Sequence, residues 1–436
     1  MVFINNKDDV NRKKTIQLQL EEIKDGLSRP PEIKSMKILK VGVLGSGLMG
    51  HGIAYVTALA GIKVVMIDTS QKNVNKGLSR IKTILNDSYN KGFISKEMIE
   101  DVISRINATH DSSKLAGCDL IIEAVFENRE LKSKVISDSE KFLKSNGILA
   151  SNTSSIPITS LSENLINPEK FIGIHFFSPV HKMKLVEIIK GEKTDSETLA
   201  KAFDFVIKIK KVPIVVNDSR GFYTSRVFER YTGEGMALLA EGNSAQAIET
   251  AGKNAGYPVG PLAVIDEINI GLAADIRDQG WHDLEVEGKD LPTGPWDDVI
   301  DFMTKEVKRT GRASGGGFYE YPKGEEKYLW PELNNYFPLT DKPLDEKEMI
   351  DRFYFSQVIE TIRCYEEGVL TKVAEANIGS LFGWGFPAFT GGTLQFVNTY
   401  GIKEFKKRSQ ELSENYGDRF SCPQLIDEMI NDGKTF

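Results

Sequence analysis

A chain of 436 residues, 40% of them hydrophobic, is long enough for two or three domains with a sizeable core in each. Its 55 basic residues stand against 62 acidic ones, and a net charge of -7 gives no electrostatic footprint for nucleic acid. Cys118, Cys364 and Cys422 are far apart and suit neither a disulfide framework nor a zinc site, and no run nears the roughly 18 apolar residues of a membrane span; the reading is a soluble, cytoplasmic protein without a metal.

Residues 1–38 carry an amphipathic stretch, Ile16, Leu18, Leu20, Ile23 and Leu27, followed by Arg29-Pro30-Pro31. The double proline is expected to end any helix there, which leaves an arm or linker helix laid on the main body, or a disordered leader.

A nucleotide-binding domain is read over 39–217. The apolar run Val41, Val43, Leu44 leads into Gly45-Ser46-Gly47-Leu48-Met49-Gly50 and then into an apolar helical segment, the order strand, glycine turn, helix that a dinucleotide site requires. Gly45 permits the tight turn, Gly47 the approach of a pyrophosphate, and Gly50 the close packing of helix on strand, while the first helical amides face the anion. The next apolar run, Lys63 to Ile67, ends in Asp68, the acid expected about 20 residues on to bond an adenosine ribose. A carboxylate there repels a 2′-phosphate, so the cofactor is read as NAD. Beyond it Lys72, Lys76 and Arg80 recur every fourth residue on one helix face, an ordinary solvated row unless the substrate carries phosphates.

Two buried strands follow, Leu120 to Ile122 and Ile148 to Ala150, each ending in a polar cluster, and their alternation with helices predicts a doubly wound parallel sheet. Ser154 and Ser155, in the second cluster, stand either as caps of the next helix or at the reaction site. His175 lies in the strand Phe171 to Phe177, and Glu187 in the neighbouring run Leu185 to Ile189. A lone strand histidine is more often a core residue than a catalyst. Here a glutamate flanked by apolar residues is costly to bury alone, and the histidine is its natural partner. Lys211 to Val216 reads as the last strand.

From 218 the chain turns helical. Arg226, Glu234, Glu241 and Gly242 recur at an offset of 126 as Arg352, Glu360, Glu367 and Gly368, and Gly256-Tyr257-Pro258 is echoed by Gly385-Phe386-Pro387. Two related helical domains are therefore expected, 218–322 and 323–436, joined near a flexible glycine-rich segment at 310–319.

The ordered motifs GSGLMGHGIA, IIEAVFEN, SNTSS, HFFSPV, KLVEII and RGFYTSR resemble those of the 3-hydroxyacyl-CoA dehydrogenases of fatty-acid β-oxidation, above all the dehydrogenase part of the multifunctional (trifunctional-type) alpha subunits. The likeness spans 38–436 and lacks the enoyl-CoA hydratase half. It implies an α/β Rossmann-type NAD-binding domain followed by two related all-α domains, and an NAD-dependent oxidation of 3-hydroxyacyl-CoA favouring medium to long chains. His175 then matches the catalytic base, Glu187 its partner, and Ser154 a contact to the substrate oxygen. Glu127 and Lys132 match contacts on the nicotinamide side of NAD, and Asp68 the ribose acid. Ser225 stands where short-chain members have asparagine, which places the chain with the trifunctional-type branch. Coenzyme A phosphates would give Lys72, Lys76 and Arg80 a role. Short-chain relatives pair as homodimers through one helical domain, so two copies imply a monomer with an internal pseudo-dimer. The second reading is a non-catalytic NAD-binding scaffold that docks a thiolase or a separate hydratase.

Overall fold

The computed structural model describes residues 6–436, with side chains from residue 11; residues 1–5 of the arm lie outside the described residues. In chain order the first elements are α1 (Asn6–Lys24), β1 (Lys40–Leu44), α2 (Leu48–Leu59), β2 (Lys63–Ile67), α3 (Gln71–Asn90), α4 (Lys96–Ser104), β3 (Ile106–Thr109), β4 (Cys118–Glu123), α5 (Arg129–Glu140), β5 (Leu143–Ser151), α6 (Ile158–Leu161), β6 (Phe171–Phe176), β7 (Leu185–Lys190), α7 (Ser196–Lys208) and β8 (Val212–Asn217). There follow α8 (Thr224–Ala240), α9 (Ala245–Asn254), α10 (Pro261–Ile268), α11 (Ile270–Val286), α12 (Asp297–Asp301), β9 (Tyr319–Glu320), β10 (Tyr328–Leu329), α13 (Leu333–Tyr336), α14 (Glu346–Glu366), α15 (Val373–Gly383), α16 (Thr393–Tyr400), α17 (Ile402–Tyr416) and α18 (Gln424–Asp432).

Contacts divide the chain into two compact units that do not follow the four stretches read from the sequence. One holds Lys14–Thr224 with Gly368–Gly383, and the other holds Ser225–Glu367 and Trp384–Phe436 with the residues up to Lys13. The helices of both stretches beyond 224 thus fall in one unit, except α15, which packs on the sheet.

The first unit is an eight-stranded sheet of order β3-β2-β1-β4-β5-β6-β7-β8, whose strands are apolar because helices cover both faces. The pairing is parallel from β3 to β6, but β6 and β7 are antiparallel, and β8 runs with β7. This departs from the all-parallel expectation because the 177–184 connection is too short for the crossover that a parallel neighbour needs. The reversal sets His175 directly opposite Glu187. At the glycine turn, Gly45 has φ +100°, and a Cβ on Gly50 would lie 1.9 Å from the Gly45 carbonyl oxygen, so only glycine lets α2 pack this closely.

The arm differs from its reading in one respect. α1 stops before the prolines, at Gly26, which takes φ +101° while the Leu27 amide donates back to the Glu22 carbonyl. Glycine in the left-handed conformation ends the helix, and the prolines come after it. Arg29 then pins the segment to α7 through a bidentate pair with Asp204, at 2.7 and 2.9 Å. On the far edge of the sheet α15 packs on β8: the Glu375 carboxyl accepts from the Val215 amide at 3.0 Å, and the Ala376 carbonyl accepts from the Tyr223 hydroxyl at 2.8 Å.

In the helical unit the repeated residues meet crosswise. Arg226 on α8 pairs with Glu360 (2.7 Å) and Glu367 (2.6 Å), while Arg352 on α14 pairs with Glu234 and, at 2.9 Å, with Glu241. Gly256 lies against Pro387 and Gly385 against Pro258, with Tyr257 and Phe386 ring to ring at 6.0 Å. The glycine-rich segment read as flexible is tied down, since buried Asp266 accepts from the Phe318 and Tyr319 amides at 2.9 and 2.8 Å.

Candidate active site

The ends of β1, β2 and β4 form the nucleotide cradle. A Cβ on Gly47 would meet nothing within 4 Å, which is the opening a pyrophosphate needs at the start of α2. Asp68, just past β2, is held ready: one oxygen accepts from the Ser46 amide (2.8 Å) and hydroxyl (2.6 Å), the other from the Thr69 amide (2.8 Å) and Asn73 (3.2 Å). Burial works against its charge, but these donors outweigh it and hold the carboxyl below the usual range. Leu48 and Phe126, 66% and 85% exposed, flank the cradle where α2 begins and β4 has ended.

Behind it lies a buried polar network. Glu127 accepts, through one oxygen, from the Thr153 hydroxyl (2.6 Å), the Ser154 and Ser155 amides (3.0 and 3.1 Å) and the Ser155 hydroxyl (3.0 Å), with the Ser154 hydroxyl at 3.4 Å. Its other oxygen faces Lys132 at 3.2 Å. Burial opposes the charge here too, but the Lys132 ammonium and the hydroxyl and amide donors keep the carboxyl below its ordinary value. Glu127 therefore organises the turn that carries Ser154.

A buried histidine–glutamate pair sits on the strand reversal. His175 Nδ1 is 2.9 Å from Glu187 Oε2, with the histidine 6% exposed and the glutamate fully buried. A carboxylate only accepts, so Nδ1 carries the proton and Nε2 is left as the lone pair. Glu187 is satisfied on every side: Oε2 also takes the Thr224 hydroxyl at 2.5 Å, and Oε1 the Tyr223 and Thr224 amides at 3.1 and 3.0 Å. Such a carboxylate is fixed in place and can hold an imidazole in one orientation. Asn152 ties the Ser154 turn to this strand by accepting from the Phe176 amide at 2.9 Å. Buried Lys211 donates to the Val180 and Met183 carbonyls at 2.6 and 2.5 Å, which holds the β6–β7 connection; burial pushes its ammonium down to about 8.

The model for the NAD binding domain of 3-hydroxyacyl-CoA dehydrogenases matches residues 40–219, and that for their C-terminal domain matches 221–321. The chain belongs to the 3-hydroxyacyl-CoA dehydrogenase family. It is 35% identical over 398 residues to the fatty acid oxidation complex subunit alpha of Vibrio vulnificus, a match covering 91% of this chain and 55% of the relative. The chain thus spans about half the length of the curated relatives it matches. Among solved structures, (S)-3-hydroxybutyryl-CoA dehydrogenase from Ralstonia eutropha is 32% identical with a TM-score of 0.61, covering 66% of this chain and 100% of that one. The fold also matches 3-hydroxybutyryl-CoA dehydrogenase from Escherichia coli, at 22% identity and a TM-score of 0.75, over 91% of this chain and 100% of that one. This member of the 3-hydroxyacyl-CoA dehydrogenase family is an NAD-dependent dehydrogenase, and NAD is its cofactor.

The sheet unit brings together Ser154, Glu127 and Lys132 in one network and His175 with Glu187 in another, and it places Gly45, Gly47, Leu48, Met49, Gly50 and Asp68 on the cradle. Lys72, Lys76 and Arg80 stand exposed along α3 and join neither network. Ser225 opens the helical unit. Ser46, Glu123 and Thr224 were not singled out from the sequence, and of these only Glu123 carried a signal: a lone acid at the end of an apolar strand. Among the described residues no helix is long and apolar enough to cross a membrane.

Proposed function

We propose that this dehydrogenase oxidises 3-hydroxyacyl-CoA to 3-ketoacyl-CoA in fatty-acid β-oxidation, with His175 as general base, Glu187 as its orienting partner, and medium to long acyl chains preferred. The observation that carries the reading is the His175–Glu187 pair, a histidine with one ring nitrogen locked to a buried carboxylate that is itself fully occupied. When bound, NAD supplies the hydride acceptor. Oxidation of the alcohol leaves a proton at the C3 oxygen, and His175 Nε2 takes it. Glu187 then faces the imidazolium and stabilises it. In the reverse direction the protonated His175 and the Ser154 hydroxyl donate to the ketone oxygen as it gains charge.

The remaining residues take the parts implied by the resemblance. Asp68 receives the adenosine ribose, the turn Gly45 to Gly50 the pyrophosphate, and Glu127 and Lys132 border the nicotinamide. Ser225 replaces the short-chain asparagine near the substrate, and Lys72, Lys76 and Arg80 meet the phosphates of coenzyme A. The helical region is read as two related all-α domains, 218–322 and 323–436, that pair within one chain and leave the protein a monomer. The crosswise pairs support this, because a two-fold contact requires that if residue i meets j of its copy, the counterpart of i meets the counterpart of j.

His175→Gln tests the central assignment. Turnover of 3-ketoacyl-CoA substrates with NADH should fall by roughly 100- to 10,000-fold, with NADH still bound. A variant within a few-fold of the parent would overturn it. A rate rising from four to sixteen carbons is expected of the parent enzyme, and a maximum at four carbons would remove the inference drawn from Ser225.

A further inference from the structure

The charges beside Glu127 do not balance. Glu123, the last residue of β4, accepts from Lys132 Nζ with both oxygens, at 2.9 and 3.1 Å, from the Val125 amide at 2.6 Å and from the Ser151 hydroxyl at 2.6 Å. The same ammonium lies 3.2 Å from Glu127. One cation therefore faces two carboxylates, and among the described residues no second cation is paired with either. The other donors, the hydroxyls and amides of residues 151 to 155, are neutral. Glu123 and Lys132 are each 1% exposed and the Glu127 side chain 16%, so the formal surplus of one negative charge is largely withdrawn from water and only partly screened.

For structure alone a simpler arrangement would serve. A glutamine at position 123 could still accept from the Val125 amide and donate to the Ser151 hydroxyl, and one buried carboxylate per buried ammonium is the pairing that costs least. The second acid calls for something else that is positive, at least part of the time.

We propose that this surplus charge sets the preference of the enzyme for the oxidised over the reduced dinucleotide, and that Glu123 is the residue that supplies it. The inference rests on the reading that Glu127 and Lys132 border the nicotinamide. The oxidised ring carries a unit positive charge and the reduced ring none, so a fixed buried anion attracts the first and is indifferent to the second. At an effective dielectric of about 20, a unit charge across one layer of side chains changes a binding constant roughly tenfold or more. Glu123 would thereby favour loading with the oxidant and release of the reduced product, the order that alcohol oxidation needs.

The test measures dissociation constants of NAD and NADH separately, by titration calorimetry and by NADH fluorescence, with no acyl substrate present. Glu123→Gln keeps the shape: the amide oxygen can still accept from Lys132 and the Val125 amide, while the amide nitrogen donates to the Ser151 hydroxyl and gives up the 3.1 Å acceptance from Lys132. It should weaken NAD about tenfold and leave NADH within twofold. Ser151→Ala, which removes a hydrogen bond but no charge, should move both constants by the same factor. Equal shifts of the two constants in Glu123→Gln, or no shift in either, would overturn the inference. If that variant does not fold, Lys132→Gln removes the opposing cation instead. It should widen the preference for NAD, and a ratio that is unchanged or reduced would count against the proposal. A parent enzyme that binds neither dinucleotide would defeat the reading of the site itself, whereas one that binds both with a ratio indifferent to Glu123 would defeat only this inference.

Discussion

Replacing Glu375 with glutamine should stabilise the sheet unit at pH 8 and change it little at pH 5. The side chain is fully buried on α15, and one oxygen accepts from the Val215 amide at 3.0 Å. Burial pushes its carboxyl from the ordinary 4.5 up to about 7, against the smaller opposing pull of the Ser28 hydroxyl, the Val215 amide and Lys372. Below pH 4.5 folded and unfolded chains both hold the proton. Between 4.5 and about 7 the folded chain keeps a proton that the unfolded chain has released, so stability falls as pH rises, and above 7 the loss is complete. At about 1.36 kcal/mol per pH unit the loss comes to about 3 kcal/mol. Glutamine has no charge to bury and should recover most of this at pH 8. Urea unfolding of both proteins from pH 5 to 8, with hydrogen exchange on β8 to assign the change to this unit, measures it. An equal gain at pH 5 and pH 8, or a loss at pH 8, would refute the reasoning.

Thr224→Val removes the 2.5 Å hydroxyl bond to Glu187 and leaves the two backbone donors. It should cost about 1.5–3 kcal/mol of stability and lower kcat while the NADH dissociation constant stays put, as stopped-flow and binding titrations would show. Gly50→Ala puts a methyl 1.9 Å from the Gly45 carbonyl, so α2 must move off β1, and dinucleotide affinity should drop well over tenfold by fluorescence titration. Arg352→Met should destabilise the helical unit by about 3–5 kcal/mol in thermal melts, because the guanidinium is fully buried and, among the described residues, buried Glu234 then keeps only Arg419. Arg226→Met should cost less, since Glu360 keeps Arg230 and Arg363.

The strand–glycine turn–helix unit and the acid after β2 were legible because they lie in one short run of chain, from Val41 to Asp68, whereas β4, which borders the same turn, comes 50 residues later. His175 and Glu187 were legible for a related reason, each an ionisable residue in an apolar strand, twelve residues apart. The donors that complete the site were not. Tyr223 and Thr224 reach Glu187 from 36 and 37 residues away, and nothing in Gly221-Phe222-Tyr223-Thr224 announces a carboxylate partner. Strand direction escaped too, because a buried run looks alike in either sense, and only the short 177–184 connection betrays the turn. In the helical region the repeat identified Arg226, Arg352 and all four glutamates but not which meets which, because a constant offset along the chain carries no information on pairing across it; the fold pairs Arg226 with Glu360 and Glu367, and Arg352 with Glu234 and Glu241.

The crosswise ion pairs also alter how the helical unit can tolerate change. In a contact between two identical subunits every substitution acts twice, at both ends of the axis, and a harmful one is doubled. Here the two sets of ion pairs are written separately in one chain, so each can drift alone. They already differ: Glu234 answers to Arg352 and Arg419, Glu360 to Arg226, Arg230 and Arg363. Independence at each end comes with mutual dependence between the halves. A chain cut after residue 321, where the match to the C-terminal domain model stops, would strand Glu234 without either of its arginines.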